Sequence, residues 1–202
     1  MEINPEKLSQ QERYKLLIGS VIPRPIALVS TADAQGNRNL APFSYFTIAA
    51  VNPMIVVFFP LRYKEGNERK DTVKNIFETG QFVVNIASAD IMEQLNNASG
   101  VYDKDADEFD ITGLTPIKSS MVKPDGVKEC RIRMECELYK TLAIGDEGSG
   151  GSDAIFGKVV HYYAEDALIE DYKIDESKLN AFSRLGGLKY GLIGDIKEIP
   201  RP

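Results

Sequence analysis

The chain has 202 residues, of which 43% are hydrophobic and 27% are charged, and its formal net charge at pH 7 is −6. These values are ordinary for a globular domain, and an acidic surface argues against nucleic acid as a partner. The sequence holds neither the ~18-residue apolar run of a membrane span nor a secretory signal pattern, and two cysteines are too few for a disulfide framework. We therefore expect a single cytoplasmic domain over 1–202, without a membrane or nucleic-acid partner.

The first part of the chain predicts one helix and a hairpin. A modest helix is predicted over 5–18, where apolar residues recur among charged ones. An apolar run at 26–29 is typical of a strand buried on both faces, and turn-forming residues at 32–37 predict a hairpin loop. The returning strand, 39–47, contains Pro42, which cannot donate a ladder hydrogen bond. That strand must therefore be interrupted, bulged or at a sheet edge there.

Two more strands and a capped helix follow. Apolar runs predict strands at 54–59 and 81–86. Between them lies a locally basic loop at 61–70. A short helix then runs from Asp71, whose carboxylate can cap the first amides, to a stop at Gly80.

The second half continues with short elements of both kinds. Strict alternation at 128–140 predicts a half-buried antiparallel strand, with Cys130 and Cys136 packing on its apolar face. Many short strands with two or three short helices indicate an antiparallel barrel or sandwich. The other predicted elements are a helix at 88–98, a solvated acidic loop at 102–110, a glycine-rich tip at 145–153, a strand at 155–163 and a short helix near 175–183.

Residues that carry common catalytic chemistry are sparse. His161 is the single histidine, which disfavours a His-rich metal site and a Ser-His-Asp triad. No GxGxxG motif follows a predicted strand, and the sequence contains no P-loop and no CxxC pair. Dinucleotide-binding folds and P-loops are therefore disfavoured.

A polar ligand site is predicted where the first hairpin meets the start of the helix at residue 71. Small polar side chains flank the proline-broken strand: Ser30, Thr31, Asn39 and Ser44. Alone, such side chains usually cap strand ends and fill turns. Lys70 stands directly before the helix, however, and a helix N-terminus with a lysine and the hydroxyl of Thr72 makes a phosphate site. We expect Asp71 to cap the helix and position Thr72 rather than to face a phosphate.

Seven segments stand in order between residues 24 and 190: RPIALVST, GxxNLAPFSYF, KDTxxNI, GQFVVN, DEFxxxGL, ECxxxxECEL and RLGGxxY. Their ordered combination resembles the flavin reductase-like proteins of the FMN-binding split-barrel superfamily. The resemblance spans nearly the whole chain apart from the N-terminal helix. It implies a mainly β fold, an antiparallel six-stranded Greek-key split barrel with a few short helices. It also implies a homodimer with one FMN per subunit near the interface.

The resemblance further implies which residues meet the cofactor. The segments implied to lie along the isoalloxazine ring are Ser30, Thr31, Asn39, Leu40, Ala41 and Pro42. Those implied to lie near the ribityl phosphate are Ser44, Lys70, Asp71 and Thr72. Arg24 and the segment from Arg184 to Tyr190 are implied to lie near the cofactor or the partner subunit. Which of four loop cations meets the phosphate stays open: Arg62, Lys64, Arg69 or Lys70.

FMN brings its own hydride and electron chemistry, so a flavoprotein needs neither a triad nor a metal. The leading hypothesis is a flavin reductase that transfers a hydride from NAD(P)H to flavin N5, with donors at the N5/O4 edge supplied by backbone amides flanking Pro42. The alternatives are a flavoredoxin-like electron carrier reduced by a protein partner, a binding module for haem or another small ligand, and a purely structural dimer. His161 is expected either to make a core or dimer contact or to touch the nicotinamide or flavin.

Overall fold

The computed structural model describes residues 1–62, 69–103, 106–146 and 148–201. Over these ranges the α-helices are α1 (Gln10–Ser20), α2 (Asp71–Thr79), α3 (Met92–Asn97), α4 (Glu108–Thr112) and α5 (Glu176–Leu179). The strands are β1 (Arg24–Pro25), β2 (Ala27–Ala32), β3 (Arg38–Phe43), β4 (Phe46–Val51), β5 (Met54–Phe58), β6 (Gln81–Ile86), β7 (Pro116–Ile117), β8 (Gly126–Val127), β9 (Ile132–Ile144), β10 (Ser152–Ala164), β11 (Ile169–Glu170), β12 (Lys173–Ile174), β13 (Phe182–Arg184) and β14 (Tyr190–Leu192). Among the helices of the described ranges, none combines the length and apolar character that crossing a membrane requires.

Seven strands of the described chain form one antiparallel sheet in the order β3-β2-β6-β9-β10-β5-β4. β3 and β4 are its two edge strands, yet only Ser44 and Tyr45 separate them in sequence. Three residue steps span at most about 11 Å, so the two edges must approach each other and the sheet must curl. The result is a barrel that is split between β3 and β4, and the predicted mainly β split-barrel class is confirmed.

The number of strands in this sheet, seven over the described residues, differs from the implied six. The segment 39–47, predicted as one strand, is divided by the bend at Ser44 and Tyr45 into β3 and β4. β3 pairs with β2, whereas β4 pairs with β5 at the other edge of the sheet. The single-strand prediction was wrong because a local apolar pattern does not reveal a change of pairing partner. Counted as one bent strand, the two pieces would restore six.

The edge position of β3 explains how the sheet accommodates a proline. Pro42 lies opposite Leu28 of β2. Two residues earlier, the Leu40 amide donates away from β2, to Glu108 Oε2 at 3.1 Å. Backbone amides alternate in direction along an antiparallel strand, so position 42 faces the same open edge and its missing N–H costs no ladder hydrogen bond. Of the arrangements predicted for Pro42, the structure shows the edge.

β2 separates two hydrophobic clusters. Leu28 belongs to one cluster together with Phe109, whereas Val29 belongs to the other with Phe58 and Phe82. Side chains alternate across a strand, so a strand with a core on each side must be apolar or fully satisfied throughout. All six residues of β2 are buried, which confirms the strand predicted to be covered on both faces.

α2 covers the second cluster with its apolar face. It ends at Gly80 as predicted, where a φ of 70° is a conformation that glycine adopts at little cost. The residue at its N-cap is Lys70, so the prediction that Asp71 caps the helix is wrong. Asp71 is the first helical residue, and its carboxylate instead reaches forward to Lys74 Nζ at 3.3 Å.

Two other predicted elements differ in the structure because residues nearby cap a helix. The helix predicted over 5–18 is a 3-10 turn at Pro5–Lys7 followed by α1, and a capping box begins α1. The acidic segment 102–110, predicted as a solvated loop, contains the start of α4. Asp107 accepts the Phe109 amide at 2.9 Å and so begins that helix.

Three further elements have different bounds from those predicted. The alternating strand at 128–140 begins and ends four residues later, as β9. The helix near 175–183 is a single turn, α5, because Asn180 adopts a left-handed conformation with a φ of 48° and β13 follows. The helix at 88–98 divides into a 3-10 turn at Ala89–Ile91 and α3.

Cys130 and Cys136, both in the described part of the chain, are free buried thiols. Cys130 lies in the first hydrophobic cluster and Cys136 in the second. Burial raises the pKa of both thiols well above the ordinary value, so both stay protonated at neutral pH. Their predicted role in packing is confirmed, but the prediction that both lie on the apolar face of one strand is wrong, because Cys130 precedes β9 and packs in the other cluster.

Gly157 offers a test of the packing between β10 and β6. A Cβ at this position would lie 2.3 Å from Cζ of Phe82, which is fully buried. We expect Gly157→Ala to lower the free energy of unfolding by about 1–3 kcal/mol, because the core has no room for the methyl group. Urea denaturation measures this change.

Gly19→Ala in α1 is the matched control. Its Cβ would meet no atom within 4 Å, so this variant should be unchanged or more stable by up to about 1 kcal/mol. Equal stability of the Gly157 variant and the wild type would contradict the packing described for β10.

Candidate functional site

A chain of side-chain hydrogen bonds joins the start of α2 to β2 and β3. The Thr72 hydroxyl donates to Asn39 Oδ1 at 2.7 Å. Thr31 donates to the same oxygen at 3.4 Å, and Asn75 Nδ2 donates to the Thr31 hydroxyl at 3.0 Å. The structure therefore brings three of the predicted site residues into one network, and it adds Asn75, which the sequence did not single out.

The other side of the Asn39 amide faces α4. Asn39 Nδ2 donates to Glu108 Oε1 at 2.9 Å, and the Leu40 amide donates to Glu108 Oε2 at 3.1 Å. Burial raises the pKa of the Glu108 carboxyl, and these two hydrogen bonds oppose that shift. Sequence reasoning missed Glu108 because its segment looked like a solvated acidic loop. Two signals were available: an N-capping aspartate, Asp107, directly before it, and the segment DEFxxxGL, which contains Glu108.

The start of α2 is an anion-attracting corner beside β3. Lys70 occupies the N-cap, and its Nζ lies 5.1 Å from the centre of the Phe43 ring. A lysine has donors and no acceptor, so its side chain cannot cap the first-turn amides of α2. The Val73 and Lys74 amides donate to the Lys70 carbonyl, so the amides of Asp71 and Thr72, the positive end of the helix dipole and the ammonium group are what favour a bound anion.

The cations of the 61–70 loop have different roles. Arg62 is buried, with Nε 3.3 Å from Asp153 Oδ1. It also donates to three backbone carbonyls near the β9–β10 tip, those of Ile144, Asp146 and Ser152. Arg69 Nε lies 3.2 Å from Asp153 Oδ2, and the Arg69 side chain is 38% exposed. Lys64 lies outside the described residues. Arg69 and Lys70 are thus the partly exposed cations of the described part of this loop.

Arg24 is buried and ties three segments together. Its Nη1 donates to the carbonyls of Ile18 at 2.7 Å and Val21 at 2.6 Å, and its Nη2 donates to the Leu185 carbonyl at 2.9 Å. Its Nε lies 3.5 Å from Ser44 Oγ. Arg24 therefore holds the end of α1 and the segment after β13 against the bend between β3 and β4.

A groove of about 490 Å³ lies beside Arg24 and Ser44. Its volume is in the range of small-molecule sites. Apolar side chains from α1 and from the β4–β5 edge form much of its wall: Leu17, Val21, Phe46 and Phe59. β3 connects this groove to the polar network, because Asn39 lies near its start and Ser44 follows its end. Between them, Ala41 and Pro42 are partly exposed.

We call the surface along β3 from Asn39 to Ser44 the strip. Three predicted site residues make internal contacts away from this strip. The Ser30 hydroxyl is fully buried and donates to the Asp125 carbonyl at 2.6 Å. Leu40 has a fully buried side chain in the first hydrophobic cluster. The Tyr190 hydroxyl donates to Asn96 Oδ1 at 2.9 Å, on the separate β1-β13-β14 sheet. Their assignment to a ligand stays a prediction.

His161 lies on β10 and is 40% exposed, so it is not a core residue. Its Nδ1 is 3.1 Å from Glu135 Oε1. Glu135 in turn accepts three successive backbone amides, those of Ser120, Met121 and Val122. Contact of His161 with a partner subunit, nicotinamide or flavin stays a prediction. Within the described ranges, no group of three His, Cys, Asp or Glu side chains is arranged to hold a metal ion.

Several solved structures share this fold. Nitrilotriacetate monooxygenase component B from Bacillus cereus is 37% identical, with 98% of each chain covered and a TM-score of 0.94. The 2-nitrobenzoate 2-nitroreductase NbaA from Pseudomonas fluorescens is 30% identical, with 100% of this chain and 96% of that chain covered and a TM-score of 0.82. A structure with a split barrel domain from Shewanella frigidimarina is 27% identical, with both chains fully covered and a TM-score of 0.85.

The flavin reductase like domain family matches residues 18–178 of the chain. The matched region runs from the last turn of α1 into α5, so it contains the complete seven-stranded sheet of the described residues. It also contains α2, α4 and the polar network between them. The chain therefore belongs to the flavin reductase-like domain family.

Proposed function

We propose that this protein is a flavoprotein oxidoreductase that binds FMN between β3 and the start of α2 and reduces it with NAD(P)H. The observation that carries the proposal is the anion-attracting start of α2, with Lys70 at its N-cap, placed beside the partly exposed edge strand β3. The family supports flavin binding. Neighbours named as a monooxygenase component and a nitroreductase support oxidoreductase chemistry.

The start of α2 fits the phosphate of FMN, which is a dianion. Lys70 supplies an ammonium group, the first turn of the helix supplies amides, and Arg69 supplies a second partly exposed cation. The single hydroxyl proton of Thr72 is used by Asn39, so we assign the phosphate contacts to Lys70 and the helix amides in the first place. Asp71 would repel a phosphate, and its pairing with Lys74 offsets part of that charge.

β3 fits one face of the isoalloxazine ring. Ala41 and Pro42 are partly exposed there, and the groove at Ser44 continues the strip beyond the strand. The alternation that turns the Leu40 amide outward turns the amides on both sides of Pro42 toward β2. We therefore assign the donors at the N5 edge to the bend at Ser44 rather than to the amides that flank Pro42. This assignment moves Ser44 from the ribityl phosphate, where the resemblance implied it, to the ring.

Bound FMN supplies the hydride and electron chemistry of the proposed reaction. The chain's own residues hold the phosphate, pack one ring face and leave the other face open for the nicotinamide. No side chain of the protein needs to act as a general acid or base in such a transfer. This requirement agrees with a site built from small polar residues, backbone amides and lysine.

We also propose that two copies of the chain associate through one side of the barrel. Large apolar side chains are exposed along β4, the start of β5 and the second half of β9: Ile48, Val51, Met54, Tyr139, Leu142 and Ile144. Exposed apolar surface of this kind marks an interaction site. β4 directly follows the bend at Ser44, so a second copy on this surface would border the proposed FMN site, as the family resemblance implies.

Removal of Lys70 tests the phosphate contact. We expect Lys70→Ala to weaken FMN binding by about 2 kcal/mol, roughly thirtyfold in Kd, through loss of a charge-assisted hydrogen bond. Adding Thr72→Ala should weaken it further, because Asn39 loses a donor. Quenching of FMN fluorescence measures the affinity, and Lys128→Ala, at an exposed position before β9, is the control. An affinity of the double variant within twofold of the wild type would place the phosphate elsewhere.

Anaerobic reduction tests the reaction. We expect NADH or NADPH to bleach the visible absorbance of the FMN-loaded protein, because the open ring face admits the nicotinamide. Retained FMN without bleaching by either nicotinamide would reject the reductase and favour an electron carrier reduced by a protein partner. Failure to take up FMN, with uptake of haem instead, would favour a ligand-binding module.

Val51→Asp tests the subunit contact. Val51 is 85% exposed on β4, and we expect a buried carboxylate in the interface to convert the dimer into a monomer. Val101→Asp is the matched control, because Val101 is 88% exposed and lies outside the strands. Light scattering after size-exclusion chromatography measures the mass. A monomeric wild type would contradict the proposed interface.

A further inference from the structure

We propose that Glu108 is the positioning residue of the flavin site. From α4 it fixes the orientation of the Asn39 amide, and through that amide it fixes the direction of the Thr72 hydroxyl in the first turn of α2. The inference rests on the proposed function, because its expected effect is a change in FMN affinity. Glu108 itself need not touch the cofactor. Its role is to determine which groups lining the proposed FMN site donate hydrogen bonds and which accept them.

The two oxygens of Glu108 hold two successive residues of β3. Oε1 accepts from Asn39 Nδ2 at 2.9 Å, and Oε2 accepts from the Leu40 amide at 3.1 Å. Leu40 lies on the open edge of the sheet, so Glu108 supplies the acceptor that a neighbouring strand would otherwise supply. The carboxylate thus replaces a ladder contact at the strand that we assign to the flavin ring.

The carboxylate also fixes the direction of the remaining hydrogen bonds. An ionised carboxylate only accepts, so the NH₂ group of Asn39 must face Glu108 and Oδ1 must face the other way. Oδ1 then receives the hydroxyl proton of Thr72 at 2.7 Å and that of Thr31 at 3.4 Å. Thr31 accepts in turn from Asn75. The order of donors and acceptors is therefore set from one end, at Glu108.

This order reaches the proposed phosphate site. Thr72 is the second residue of α2, and its hydroxyl is held on Asn39. If the Asn39 amide turned over, its NH₂ group would oppose the Thr72 proton, and the hydroxyl would have to rotate. Glu108 therefore acts on the first turn of α2 from another helix.

α4 is attached to β3 by contacts that do not involve Glu108. Arg38 Nε donates to Asp107 Oδ2 at 2.7 Å, and its guanidinium carbon lies 5.5 Å from the centre of the Phe109 ring. Phe109 is itself buried in the first hydrophobic cluster. Substitution of Glu108 should therefore leave α4 in place and change the hydrogen bonds alone.

Protonation of Glu108 would remove one acceptor and add a donor. Burial raises the pKa of this carboxyl, so it gains its proton at a higher pH than an ordinary glutamate does. The FMN affinity of the wild type should therefore fall on acidification through that raised pKa. The charged groups that face this region are Asp107 and Asp110 on α4, Arg38 on β3, Asp71, Lys74 and Glu78 on α2, and Asp33 and Asp103 in the adjoining loops.

The test is an exchange of the two hydrogen-bonding groups. Glu108→Gln has one carbonyl oxygen for two donors, and we expect FMN binding about tenfold weaker. Asn39→Asp places two carboxylates face to face, and we expect a similar or larger loss. In the double variant the new glutamine amide can donate to the new aspartate and still accept from the Leu40 amide. We expect its Kd to return to within about threefold of the wild type.

FMN fluorescence quenching measures each Kd, and thermal unfolding of the FMN-free proteins reports folding. Glu129→Gln is the matched control, because Glu129 also accepts a backbone amide, that of Thr115 at 3.1 Å, outside the network. Affinity is measured across pH for the wild type and Glu108→Gln. Titration of the FMN phosphate and of the surrounding charges is common to both proteins. The difference between their two pH profiles of FMN affinity therefore reports the titration of Glu108.

The outcomes separate the two proposals. A wild type that takes up no FMN rejects the proposed function and this inference with it. A wild type that binds FMN, together with a folded Glu108→Gln variant that binds it within twofold, rejects the inference and leaves the function standing. A folded double variant as weak as the weaker single variant also overturns it. The inference is supported if the double variant recovers FMN affinity and if the fall in affinity on acidification that Glu108 causes in the wild type is absent from Glu108→Gln.

Discussion

The bend at Ser44 and Tyr45 is the constraint on which this structure depends. It joins the two edge strands of the seven-stranded sheet that the described residues form, across a few residues, so the sheet must curl until its edges approach each other. Closure leaves β3 with an open backbone edge, which permits a proline inside it. Arg24 holds the bend from behind by donating to carbonyls at the end of α1 and after β13. The groove at Ser44 lies beside this bend, between the end of α1 and the β4–β5 edge.

The polar groups of the barrel divide into those that complete the fold and those that line the candidate site. Arg62 is buried with its charge paired to Asp153 and its two Nη groups donating to carbonyls of the β9–β10 tip, which explains why a charged residue lies inside. The network from Asn75 to Glu108 is satisfied as well, but it borders β3 and the start of α2. A fully paired network is rigid, and rigid donors beside a helix N-terminus suit a cofactor that brings its own chemistry.

Local patterns predicted what depends on neighbouring residues. Side-chain alternation predicted the buried character of β2. Backbone chemistry predicted the end of α2 at Gly80 and limited Pro42 to an interruption, a bulge or a sheet edge. Contacts between distant segments were not readable in this way. Glu108 lies 69 residues after Asn39, and no local signal shows that a helix in an acidic stretch returns to an edge strand. Asp71 was misassigned because a lysine one residue earlier takes the N-cap.

The central claim is that an FMN phosphate binds at the first turn of α2. A crystal structure of the protein grown with FMN tests it most directly. We expect the phosphate within hydrogen-bonding distance of Lys70 Nζ and the α2 amides, with the ring along β3 toward Ser44. A phosphate bound elsewhere, with α2 and β3 bare, would contradict it.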